Sequence, residues 1–211
     1  MTEAPATERG ARERILAAAV ERIARDGIDE ARIARIAMDA GVSPSLVHYH
    51  FETREALLEQ ALEFSYELAG DVRLAQEGER LDSVERLGAM IDQFLPYPGM
   101  LERDWILWVE LWLRAVRHPE LQPTAARLYK RMRDWYLDAI VTGIERGDLR
   151  TELEPERVAD RILALCDGYG IRVLFRDLDV EHARREIWTA VAGELGLPAD
   201  PPPLTATSER G

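Results

Sequence analysis

Cysteine is almost missing from this chain: Cys166 is the only one in 211 residues, so no disulfide can close within it. The opening Met1-Thr2-Glu3-Ala4-Pro5 has neither a basic start nor an apolar run. Together these point to a reducing cytoplasm. Long hydrophobic stretches are lacking too. Residues 105–113 and 162–175 are the longest apolar segments, and both are too short or too interrupted by charge to cross a bilayer, so no membrane partner is expected. Positive charge is scarce, with 27 Lys and Arg against 39 Asp and Glu and a net charge of −12. That balance excludes a broad polyanion-binding surface and leaves room only for a local one. Lysine itself is nearly absent, Lys130 being the single example. Residues 1–60 carry eight Arg and eleven acids, net −3, so most of the acid load lies downstream.

What remains is ordinary globular material, 46% hydrophobic and 31% charged, long enough for one large or two small domains. Period-two alternation is missing, whereas apolar residues recur at i, i+3 and i+4 from residue 9 to 195, so the fold class is all-α. The spacing predicts helices over 8–26, 32–40 and 44–50, then one from Thr53 to about Ala75. Further helices are predicted over 83–95, 102–117, 124–146, 155–175 and 180–195. Four parts follow: a disordered arm over 1–8, a helix-turn-helix domain over 9–56, a helical bundle over 57–196 for effector binding and dimerisation, and a disordered tail over 197–211. Pro201-Pro202-Pro203 and a polar end suggest the last of these.

The most specific segment runs from Ile33 to Phe51. On a helical wheel Ile33, Ile36, Ala37 and Ala40 share one face of a first short helix, and Val47 and Phe51 share one face of a second. The small alanines allow a close crossing. Gly41 supplies the positive φ of a tight turn, Ser43 caps the second helix and Pro44 opens it. This is a helix-turn-helix. Ser45, His48 and Tyr49 form the side of the second helix away from the core, flanked by Pro44 and Leu46, and such groups read base edges or hold phosphates in a major groove. Arg32, Arg35 and Arg54 flank them and can neutralise phosphates.

Arg12 to about Leu62 resembles the DNA-binding domain of the TetR family of bacterial repressors. The matching elements are Arg14-Ile15-Leu16-Ala17-Ala18-Ala19, Gly27, Ile36-Ala37, Ala40-Gly41-Val42-Ser43, Tyr49-His50-Phe51 and Arg54-Glu55-Ala56-Leu57-Leu58. The resemblance implies major-groove reading by residues 44–50 and phosphate contacts from the slots filled here by His48, His50 and Arg54. Ala31 and Arg32 stand where a Thr-Ser cap is usual, which leaves Asp29 to cap the first short helix. His48 replaces the usual Tyr, and Arg54 the usual Lys.

The downstream half reads as a bundle able to enclose a ligand between its helices. Trp105, Trp108 and Trp112 share a stripe with Leu101 and Val109. This segment, with 143–149 and 164–169, resembles the effector domain of the choline-responsive branch of the same family, which implies an effector site and dimerisation through the last two helices. Aromatic rings with a nearby carboxylate hold quaternary ammonium or polyamine cations. Phe94, Tyr97, Trp105, Trp108, Trp112, Trp135 and Tyr169 are candidate walls, with Asp167 as counter-charge, although at helical spacing the same tryptophans serve equally as core. Glu110 is expected to pair with Arg114 one turn on. Asp167 interrupts an apolar run, so it is either paired across an interface or aimed at a ligand. Gly168 and Gly170 weaken the same helix and suggest close approach by a partner, with Leu163, Ile171, Leu174, Ile187, Val191 and Leu195 as dimer contacts.

Among the four histidines and Cys166 there is no metal-ligand spacing, and neither a phosphate-binding glycine loop nor a nucleophile elbow occurs. No metal, cofactor or catalytic residue is expected. The sequence therefore predicts a ligand-responsive, homodimeric repressor of a palindromic double-stranded DNA operator, released by a small-molecule effector for which a cation is one candidate class. The alternative is a ligand-binding or interaction protein of the same fold without specific DNA binding.

Overall fold

The computed structural model describes residues 6–65 and 81–204, and among these the chain forms helices and no strand. In order they are α1 (Ala6–Asp26), a 3-10 turn (Ile28–Glu30), α2 (Ile33–Asp39), α3 (Pro44–His50) and α4, described over 54–65. Then follow α5 (Ser83–Gln93), α6 (Met100–Arg117), a second 3-10 turn (Pro119–Leu121), α7 (Gln122–Arg146), α8 (Pro155–Leu174) and α9 (Val180–Leu195). The expected run of α4 to Ala75, and residues 76–80 of the relaxed stretch after it, lie outside the described residues.

Most helix ends are set by local chemistry. Ser43 Oγ accepts from the Leu46 amide at 3.2 Å, Thr53 Oγ1 from Ala56 at 3.0 Å and Asp179 Oδ1 from His182 at 2.8 Å. Asp82 and Glu85 close a reciprocal capping box ahead of α5. Two expectations are corrected. α1 already begins at Ala6, which shortens the supposed arm. Asp29 does not cap α2, because Arg32 occupies the cap position without a side-chain bond and Asp29 sits within the preceding 3-10 turn.

The chain divides into two compact units, one comprising Met1–Gly70 with Ile106–Gln122, the other Asp71–Trp105 with Pro123–Gly211. This differs from the boundary drawn at residues 56 and 57. Leu57, Leu58 and Ala61 of α4 are buried. In the first unit they join a core that includes Ile15, Leu16, Ala19 and Ile23 of α1, Ile36 and Ala37 of α2, and Val47 and Phe51. Arg22 of α1 ties α2 in place: Nη1 donates to Asp26 Oδ2 at 2.8 Å and Nε to Asp39 Oδ2 at 3.0 Å. The later part of α6 belongs here because Arg114 Nη2 donates to Asp29 Oδ1 at 3.1 Å and Glu110 lies beside Gly27. Arg114 therefore bonds to Asp29 as well as lying one helical turn from Glu110, a link that no helical wheel can show.

In the second unit α8 and α9 pack side by side, with Ile162, Cys166, Ala183, Ile187, Trp188 and Val191 buried. Four of the residues assigned to the dimer contact, Leu163, Ile187, Val191 and Leu195, are consumed in this subunit's own core. The exposed positions of the two helices include small ones, Ala164 and Gly168 on α8 and Thr189, Ala190 and Gly193 on α9, among charged ones such as Asp160, Arg161, Arg172, Arg185 and Glu186. Of the two α8 glycines, Gly170 is explained within the chain, since a Cβ there would overlap the Trp105 indole. Gly168 is not, for a Cβ there would meet open space.

The tail is the last correction. Residues 197–204 lie against the bundle: Trp188 Nε1 donates to the Pro198 carbonyl at 3.0 Å, Arg184 Nη2 donates to the Pro202 carbonyl, and the Pro202 ring occupies the space above Gly88. Proline richness marks an extended chain, and here that chain has found partners.

Candidate DNA interface and effector site

The first candidate site is the outer side of α3. Val42 returns its amide to the Ala37 carbonyl at 2.9 Å, and Gly41 takes φ +64°, so the chain turns sharply between α2 and α3. Val47 and Phe51 are buried on the inner side, with the Arg12 guanidinium 5.7 Å from the Phe51 ring centre. Ser43, Pro44, Ser45, His48 and Tyr49 are consequently all exposed, Tyr49 at 71%. A large ring left in water on a helix held rigidly by its other face is available for a partner. The hydroxyls of Ser43 and Ser45 lie 2.9 Å apart, so Ser43 both caps the helix and orients its neighbour.

The flanking groups divide. Arg32 and Arg35 are exposed, and both approach Glu30, at 3.9 and 3.7 Å. Such loose surface pairs are worth little and are readily exchanged for a phosphate. His50 is half-buried, its ring edge-on to Tyr49 at 5.2 Å and its Nε2 buried without a hydrogen bond. Arg54 turns inward: its guanidinium donates to the carbonyls of Ala31 and Asp29, both at 3.2 Å, and to that of Ile28. It fastens the corner between α1 and α2, a direction that charge in a sequence does not reveal. Arg54→Met is expected to destabilise the protein by about 1–3 kcal/mol in chemical unfolding, because several carbonyls lose a charged donor.

The second candidate site lies in the other unit, around residues 166–170 of α8. Tyr129 Oη donates to Asp167 Oδ2 at 2.8 Å. Burial pushes the Asp167 carboxyl up to about 6, opposed by the Tyr129 hydrogen bond, and burial likewise raises Tyr129. One position away, Cys166 is fully buried 3.8 Å from Tyr136 Oη, its thiol pushed up to about 12 by burial. That makes it an unreactive core residue. Tyr136 donates to the Met90 carbonyl at 3.2 Å, and its ring lies 5.4 Å from that of Phe94. The Phe94 carbonyl in turn accepts from Trp105 Nε1 at 3.1 Å, and the Trp105 indole covers Gly170. Phe94, Trp105 and Tyr136 are thus linked, and Tyr136 reaches Cys166, the neighbour of the Asp167 that Tyr129 bonds.

Of the residues the sequence nominated, Phe94 and Trp105 bond to each other, Asp167 bonds to Tyr129, and Trp135 and Tyr169 are half-buried on α7 and α8. Tyr97 is buried beside Asp92, Glu181 and Arg184. Trp108 and Trp112, with ring centres 6.4 Å apart, fall in the part of α6 that belongs to the first unit. Tyr129 and Tyr136 were not nominated. Their spacing of two helical turns was the available signal.

Known proteins agree with both halves. Residues 15–61 match the model described as bacterial regulatory proteins of the tetR family, and residues 83–196 match the C-terminal domain of BetI-type transcriptional repressors. No curated protein matches. A putative transcriptional regulator from Saccharomonospora viridis, solved in complex with choline, is 33% identical with a TM-score of 0.77, covering 88% of this chain and 97% of its own. A putative TetR-family regulator from Rhodococcus sp. is 30% identical with a TM-score of 0.78, covering 89% and 99%. A regulator from Haloarcula marismortui, 24% identical at a TM-score of 0.76 with 88% and 98% covered, shares the fold. A helix-turn-helix that presents a polar helix outward, followed by a helical domain of the BetI type, identifies this chain as a member of the TetR family of DNA-binding, ligand-responsive transcriptional regulators.

Proposed function

We propose that this protein is a homodimeric repressor that grips an inverted-repeat operator through α3 and releases it when a quaternary ammonium compound of the choline class occupies the second unit. The observation that carries the ligand class is Asp167, a partly buried carboxylate whose hydrogen bond comes from the Tyr129 phenol and whose neighbour Cys166 touches Tyr136. A carboxylate and aromatic faces suit a cation that carries no hydrogen-bond donor on its charged nitrogen. The choline complex of the Saccharomonospora viridis regulator supports the same class.

Dimerisation is supported by the small exposed residues of α8 and α9, above all Gly168, whose missing Cβ no described residue requires. A second copy packing there would set the separation of two α3 helices to one or more turns of the duplex. The effector then acts by population shift, with leverage equal to its differential affinity for the two states. Ser45, His48 and Tyr49 read or grip the groove, and Arg32 and Arg35 neutralise phosphates.

A gel-shift assay on DNA upstream of the protein's own gene tests this reading. Specific, salt-sensitive retardation relieved by choline is expected. Tyr49→Ala should weaken operator binding by about tenfold or more, the worth of one good groove contact. Because Tyr49 is outside the core, unfolding should shift by less than about 0.5 kcal/mol. Choline-dependent thermal stabilisation without any retardation would leave a ligand-binding protein that does not bind DNA.

A further inference from the structure

We propose that residues 197–204 are a fastened strap, and that Arg184 is a positioning residue which, through Asp92 and this strap, sets the end of α5 that bears Phe94. The inference deepens the effector-site reading above, on which only its ligand-affinity arm rests.

After Gly196, at φ +66°, the chain leaves α9 with the Leu197 amide returned to the Ala192 carbonyl at 3.0 Å. Three successive prolines follow at 201–203, and proline has no N–H, so this stretch can be held only by its carbonyls and rings. Both kinds of hold are present. The Pro198 carbonyl accepts from Trp188, a fully buried indole of α9. The Pro202 carbonyl accepts from Arg184, and the Pro202 ring sits on Gly88 of α5, where any side chain would overlap it. A buried glycine in mid-helix costs stability relative to alanine, and a ring seated on it supplies a reason for it.

Arg184 is the junction. Its Nε and Nη2 donate to the two carboxylate oxygens of Asp92 at 2.5 and 3.2 Å, with side chains only 7% and 1% exposed. A buried guanidinium needs partners for its donors, and the strap carbonyl accepts from Nη2 beside Asp92. Asp92 lies two residues before Phe94, whose carbonyl holds the Trp105 indole and whose ring faces Tyr136. Strap, Arg184, Asp92 and Phe94 form one contiguous set of contacts within a single unit. The strap lies at the surface: Pro198 and Pro203 are exposed, and Pro201, Pro202 and Leu204 are half-buried. It can open without unfolding the helices beneath it.

The test uses the full-length protein, a Gly88→Ala variant and a chain ending at Leu197. Alanine favours the α5 helix but takes the place of the Pro202 ring, so global stability should hold while the strap is displaced. Both variants should show faster amide exchange over residues 90–95 and a shifted Trp105 indole N–H resonance, with exchange over α7 unchanged. Choline affinity by calorimetry should fall by about tenfold in both. Arg184→Lys, which keeps the charge but not the forked donors, should fall between wild type and these variants. Unchanged exchange and an unchanged Trp105 resonance in both variants would overturn the proposal. Altered exchange with unchanged choline affinity would overturn its link to the effector site. If wild type itself ignores choline, the proposed ligand class fails, and the exchange and resonance readouts still decide the strap.

Discussion

Asp167→Asn should lose about ten- to a hundredfold in choline affinity at pH 7, the worth of a desolvated cation contact with a charged group. The amide keeps the size of the side chain and can still accept from Tyr129, so the difference measures charge. The pH dependence provides the signature. In the free protein burial holds the Asp167 carboxyl at about 6, so a cation meets a carboxylate above that pH and a neutral acid below it. Wild-type affinity should therefore be flat above pH 6 and fall by up to about tenfold per pH unit below it, whereas the Asn variant should show no such fall. Stability should move the other way. Because the folded-state value lies above that of the unfolded chain, this group favours the native state most when protonated, and that contribution fades as the pH rises through about 6. Asp167→Asn should then be no less stable than wild type at pH 7. Equal choline affinity for the two proteins across pH 5–8, measured by calorimetry, would remove Asp167 from the site.

Trp105→Ala should cost about 3–5 kcal/mol in urea unfolding, the range for emptying a buried large aromatic site. The indole is 5% exposed, fills the space that Gly170 leaves, and donates to the Phe94 carbonyl, so its removal opens a cavity and strips a buried acceptor at once. Gly170→Ala should cost about 1–3 kcal/mol for the opposite reason, overpacking against the same ring. The two changes share one contact, so the double variant should be clearly less destabilised than the sum of the singles. Additive losses would show that Trp105 and Gly170 do not depend on each other.

Much of the DNA-facing half was legible because its signals are local. Gly41, Ser43 and Pro44 act within a few residues of where they stand, and Val47 and Phe51 define by periodicity alone which side of α3 is left for Ser45, His48 and Tyr49. Arg54 shows the complementary limit. Its charge is visible in the sequence, but the direction of its guanidinium depends on the carbonyls of residues 28–31 brought close by folding. The effector half was legible in its helices and less so in its site. Asp167 stood out as a charge in an apolar run, whereas Tyr129, 38 positions earlier, became its partner only through the packing of α7 on α8. The tryptophan stripe was a true periodicity, but helical spacing alone could not show that α6 contributes Trp105 to one unit and Trp108 and Trp112 to the other.

The amino-acid sequence by itself determined the helical class, the helix-turn-helix and the residues that α3 turns to solvent, since these follow from backbone preference and apolar spacing over a few turns. Only the tertiary structure decided which carboxylate meets which hydroxyl, which glycine yields its space to an indole, and that a proline run expected to be loose is tied to a buried arginine. Those outcomes depend on distance between residues far apart in the chain, and no local rule carries that information.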